Sequence, residues 1–156
     1  MSPAPKPALA EMRDRLFEEV ERVLGAAEGL DATQLSWTPS AKGANSLLVL
    51  AAHTVGAAER HVVRTVGGGE VSGTRDEEFA ARGDLAPIRG RWDAVRRRIV
   101  DTIDDLPPGR LDDEVPKPSR LRTMHGVLVH AIAHAAEHAG QAELTRDLIK
   151  ERDTAG

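Results

Sequence analysis

Apolar residues recur at spacings of three and four along most of the chain, the period of an amphipathic helix rather than of a strand. Leu9, Met12, Leu16, Phe17, Val20, Val23 and Leu24 form a first stripe, which predicts a helix from about residue 8 that ends between Gly25 and Gly29. A second begins after Asn45 or Ser46, either of which can cap free backbone N–H groups. It continues through Leu47, Leu50, Val55, Ala58, Val62 and Val66 and stops at Gly67, Gly68 and Gly69. Ile88, Trp92, Val95, Ile99 and Ile103 mark a third helix over 85–106, closed by Pro107. Met124, Val127, Leu128, Ala131, Ile132, Ala135, Ala139, Ala142 and Leu148 mark a fourth over 121–149. No segment alternates with a period of two for long enough to make a sheet.

Four helices with one apolar face each bury those faces together, so the expected fold is an all-α four-helix bundle over residues 8–150, with tails at 1–7 and 151–156. The connections at 30–44, 70–83 and 107–120 are long for neighbours in a simple up-and-down bundle. At least one is therefore expected to cross the bundle end to end and leave a parallel neighbouring pair.

Composition narrows the chemistry. The chain has 156 residues, no cysteine and a formal net charge of −4. Disulfides, thiolate metal sites and a cysteine nucleophile are excluded. Aromatic residues make up 3% with no tyrosine. Neither a bulk-charge contact to nucleic acid nor a base-stacking platform fits that balance. No run approaches the roughly 20 apolar residues that span a bilayer. The opening residues show no apolar signal region, so a reducing, cytoplasmic setting and a small-molecule substrate are expected. The glycine triplet at 67–69 lacks the Gly-Lys-Ser/Thr end of a phosphate loop.

The six histidines are concentrated on two helices. His53 and His61 lie on the second; His125, His130, His134 and His138 lie on the fourth. His130, His134 and His138 repeat every four residues, so successive members share a face and two imidazoles can reach one cation. Alanines around them leave room for a metal or a substrate. Spacing alone does not choose between the pairs His130/His134 and His134/His138. A third ligand must come from another helix, and His53, mid-helix in an apolar setting, is the best candidate. His61 and His125, near helix ends, read as surface or capping residues. The residue after His134 is Ala135, and the one after His130 is Ala131, so the glutamate base of the H-E-x-x-H zinc helix is missing. No glutamate stands three residues before a histidine, as di-iron carboxylate bundles require.

The stretch His134-Ala-Ala-Glu-His138-Ala-Gly-Gln141 resembles the H-x-x-x-H-x-G-Q signature of the DinB-like (YfiT-like) superfamily. Trp37-Thr-Pro39, Asn45-Ser46 and the His53 helix are similar to the first half of that family, and Glu143–Leu148 is similar to its DUF664 and mycothiol-dependent subgroups. The resemblance implies an up-down-down-up bundle, often a homodimer. It also implies a metal held by His53, His134 and His138, with His130 a neighbour one turn away. Some members of the family are thiol-dependent transferases.

The expected activity is accordingly that of a divalent-metal-dependent enzyme using an external low-molecular-weight thiol of the mycothiol or bacillithiol type. Zinc is the first metal expected, nickel the second. Gln141 is placed to orient a ligand imidazole or a bound water. Arg60, two turns beyond His53, meets an anionic substrate if it turns inward. The alternatives are a hydrolase that activates water on the same metal, with Glu59 or Glu137 as base, and a stress protein that binds metal or ligand without turnover. Partners other than small molecules and a second copy of the chain are not expected.

Overall fold

The computed structural model describes residues 7–107, 109–115 and 123–156. In chain order its helices are α1 (Pro7–Ala27), α2 (Ala32–Ser36), α3 (Leu47–Ala58), α4 (Arg75–Phe79), α5 (Ala86–Asp104) and α6 (Met124–Thr154). A π-helical segment, Glu59–Val66, continues α3 without a break, and a single 3-10 turn follows α5 at Arg110–Asp112. The four apolar stripes correspond to α1, α3 with its π extension, α5 and α6. Residues 1–6, 121 and 122, assigned from the sequence to the tail and to the start of the last helix, lie outside the described residues. α6 runs on to Thr154 through the stretch read as a second tail.

Local chemistry sets the helix starts. Ser46 caps α3, its hydroxyl accepting from Val49 N at 3.2 Å. Thr123 caps α6 through Gly126 N at 3.0 Å. The two short helices stand inside connections that show no apolar stripe. Each starts with a reciprocal capping box, Asp31 with Gln34 and Thr74 with Glu77, which satisfies two end N–H groups at once.

Contacts between helices fix their directions. On α1 and α6, Arg22 meets Glu143, and Arg146 donates to the carbonyls of Ala26 and Glu28, so the two run parallel. Arg89 meets Glu28 and Glu21 while Arg96 lies over Phe17, so α5 runs against α1. His53 faces His134 and His138 while His61 faces His130, so α3 runs against α6. The order is up-down-down-up. α3 and α5 are thus parallel neighbours, and the connection between them must return along the bundle. That return segment carries α4 across α3.

Leu24, Leu47, Ile99, Ile103 and Ile149 are fully buried in the core. Trp92 joins them, edge-on to Phe17 with ring centres 5.5 Å apart, its indole N–H donating to Glu21 at 2.7 Å. Three arginines of α5 have specific partners. Arg98 and Arg91 hold the buried Glu59 carboxylate at 2.6 and 2.9 Å, and Arg96 covers Phe17. Among the described residues no helix is long and apolar enough to cross a membrane.

Candidate metal centre

His53 comes from the middle of α3, and His134 and His138 come from successive turns of α6. His134 Nε2 lies 3.2 Å from His53 Nε2 and 3.2 Å from His138 Nε2. One ligand atom from each of the three residues lies within 4.8 Å of the others. Two imidazole nitrogens bound at about 2.0–2.1 Å to one tetrahedral zinc stand about 3.3 Å apart, so the spacing fits a shared cation.

The outer nitrogens explain why the inner ones face each other. His53 Nδ1 lies 3.1 Å from Glu78 Oε2. Glu78 is 1% exposed and accepts two bonds from Arg60, one of them at 3.0 Å from Nη2. Burial pushes the Glu78 carboxyl up, but the bonds from His53 and Arg60 and the Arg60 charge outweigh it and hold the pKa below the ordinary value. An ionised carboxylate only accepts, so His53 carries its hydrogen on Nδ1 and presents a bare lone pair at Nε2. His138 Nδ1 lies 2.8 Å from Gln141 Oε1, which fixes the same tautomer. Such outer partners orient ligand imidazoles and raise their basicity.

The consequence is a shortage of hydrogens. Three Nε2 atoms converge, and only His134 has one to offer. It satisfies one neighbour and leaves the other lone pair facing nitrogen at close range. A divalent cation removes that conflict for all three at once. His134 and His138 are also ready to ligate at neutral pH. Burial and then the neighbouring imidazoles push His134 down to about 3, and burial lowers His138.

The surrounding charge is balanced before any metal arrives, because Arg60 neutralises Glu78. A cation held by three neutral imidazoles would therefore keep its charge. Packing enforces the clasp. A Cβ added at Gly56 would overlap the Glu78 carboxyl group, so only glycine lets α4 bring that side chain onto α3. Phe79, the next residue, sets its ring 5.0 Å from that of His53 and shields it from one side.

The other expected site residues divide. Gln141 bonds a ligand imidazole, as described. His130 stands apart, 6.1 Å between ring centres from His134 and paired with His61 at 4.9 Å. His61 is partly buried between His130 and His134, not at the surface or in a cap as its sequence position suggests; His125 is exposed. Arg60 does turn inward, but toward Glu78, and both Glu78 oxygens hold it. It is not free for an anionic substrate. Glu59 is equally committed, to Arg91, Arg98 and Ser72, and Glu137 is exposed. The N–H groups of Gly67, Gly68 and Gly69 are bonded to the carbonyls of Val62, Arg64 and Val63 and so do not cradle a phosphate. Glu78 was not among the sequence candidates. Its one local signal is the capping-box pattern Thr74-x-x-Glu77, which marks a short helix in the connection but not where that helix packs.

A family model for the DinB superfamily matches residues 7–142. No curated protein matches the chain. Among solved structures, a crystal structure described as a conserved protein from Enterococcus faecalis superposes with a TM-score of 0.75 at 18% identity, covering 91% of this chain and 96% of its own. At that identity the likeness speaks for the fold.

Proposed function

Starting from the DinB superfamily, to which the chain belongs, we propose that it is a divalent-metal-dependent enzyme that transfers a low-molecular-weight thiol to an electrophile. The observation that carries the metal is the convergence of three Nε2 atoms with hydrogens fixed on the far side of two of the rings. His53, His134 and His138 hold the ion, with zinc the first candidate and nickel the second. Three protein ligands leave a coordination position for a reactant, as in catalytic rather than structural sites. A divalent cation with three neutral ligands favours a thiolate over a thiol, as it favours hydroxide over water, and so supplies a nucleophile at neutral pH.

The remaining work belongs to the protein. Glu78 and Arg60 hold the His53 ring and its tautomer, and Gln141 does the same for His138. Phe79 limits water on one side. With no cysteine in the chain, the sulfur comes from outside. In the overall reaction a carbon–sulfur bond forms, the leaving group departs with its bonding electrons, and the thiol proton passes to solvent. Glu59 is committed to two arginines and a serine and Glu78 to His53 and Arg60, so neither of these buried carboxylates is free to act as a hydrolytic base.

The test is conjugation of model electrophiles by the zinc- and nickel-loaded protein with mycothiol, bacillithiol, coenzyme A and glutathione. Turnover with one of them that is abolished by chelation and by His53→Ala is the expected result. Metal bound stoichiometrically with no thiol turnover would replace the transferase with a metal- or ligand-binding protein.

A further inference from the structure

A cleft of about 370 Å³ opens beside the metal centre, between the start of α3, the loop before it and the C-terminal half of α6. Pro39, Leu50, Leu144, Thr145 and Leu148 line it together with Gln141, and none of its lining residues is charged. Two of them tie it to the histidines. Gln141 bonds His138 Nδ1 from one side and faces the cleft from the other. Leu50 precedes His53 by about one helical turn on the same helix. His138, Gln141, Thr145 and Leu148 follow one another along one face of α6, so the cleft starts about one helical turn beyond His138 on the face that carries it. Leu144 at its mouth is 61% exposed, an unusual position for a large apolar side chain.

We infer that this cleft binds the uncharged, apolar part of the small molecule whose reactive end meets the metal, so that the electrophile is a neutral compound with an aliphatic or aromatic body rather than an anion. The inference rests on the metal reading for its anchor point. Three observations support the class. The volume suits a chain of several carbons or one ring. An ionised group in the cleft would lose water without meeting a charged partner, which is costly. Arg60, the arginine that reaches in behind His53, is already held by both oxygens of Glu78 and is not available to an anion.

The test uses straight-chain hydroxamates of two, four and six carbons, which chelate zinc at one end, titrated calorimetrically into the zinc-loaded protein. Affinity is expected to rise about fourfold for each methylene that enters the cleft. A carboxylate at the far end of the chain should cancel the gain, and Leu144→Asp should flatten the series while zinc stoichiometry reports an intact fold. Affinity independent of chain length, or tighter binding of the carboxylate-ended chains, would overturn the cleft assignment and leave the metal site standing. If acetohydroxamate itself fails to bind, the metal reading falls separately. Saturation-transfer NMR with n-hexanol then decides the cleft. Contact with the wild type that is lost in Leu144→Asp supports it, and absence of contact overturns it.

Discussion

Two groups of histidines lie side by side between α3 and α6, and only one is built as a ligand set. His53 and His138 each have the outer ring nitrogen fixed, by Glu78 and by Gln141, so that the inner nitrogen turns toward His134. His61 and His130 meet edge to face, ring centres 4.9 Å apart, one step along the same interface. Neither meets a carboxylate or amide side chain among the described residues, and His61 Nδ1 is buried without a hydrogen-bond partner. The residue type is the same in the two groups, and His130 stands four residues before His134 just as His134 stands four before His138. What separates them is the partner behind the ring, which decides where the lone pair points.

Removing a ligand should break the comparison most severely. His134→Ala deletes the nitrogen common to both close contacts, and metal affinity in a chelator competition should fall by more than the roughly 100-fold that loss of an outer partner gives. Arg60→Met should come next, and its readout is stability. It leaves the buried Glu78 charge with only the His53 ring as a partner, and urea unfolding of the metal-free protein should show a loss of about 3–5 kcal/mol, the usual result of breaking a buried pair. Glu78→Gln keeps the volume but weakens the hold on His53, and metal affinity should drop by about 10- to 100-fold. His130→Gln and His61→Gln should leave metal content at wild-type stoichiometry by elemental analysis; a loss equal to that of His134→Ala would merge the two groups into one site.

The smallest effect is on pH dependence. In the folded, metal-free protein His61 is pushed down to about 4, by burial first and then by His130, and His134 to about 3. The unfolded chain takes up these protons near the ordinary value of 6.5. The unfolded state therefore binds more protons below that pH, and stability should decline as pH falls from about 6.5 toward 4, with the His134 share lost toward 3. Thermal melts across that range should show a shallower decline for His61→Gln. An equal slope would place His61 in water.

Much of the bundle was legible because its signals are local. The apolar stripes, the Ser46 cap and the stop at Gly67 each depend on a few neighbouring residues. The pairing of His134 with His138 was narrower. Spacing offered His130 equally, and the family resemblance separated them. What stayed hidden depends on contacts far apart in the chain. Glu78 reaches His53 because two parallel neighbours, α3 and α5, force the chain to return across α3, and because Gly56 has no side chain to block it. His61 was misplaced for a geometric reason. On an unbroken α-helix a step of eight residues from His53 turns about 80° away from its face. The wider turns of the π segment, at whose end the Gly67 N–H donates to the Val62 carbonyl at 2.9 Å, advance less per residue and keep His61 toward α6.

The most direct test is the position of zinc in a crystal of the metal-loaded protein, located by anomalous scattering at the zinc edge. One peak about 2.0–2.1 Å from Nε2 of His53, His134 and His138 together is the predicted result. A peak on His61 and His130, or none beside a fully loaded protein's three imidazoles, would contradict it.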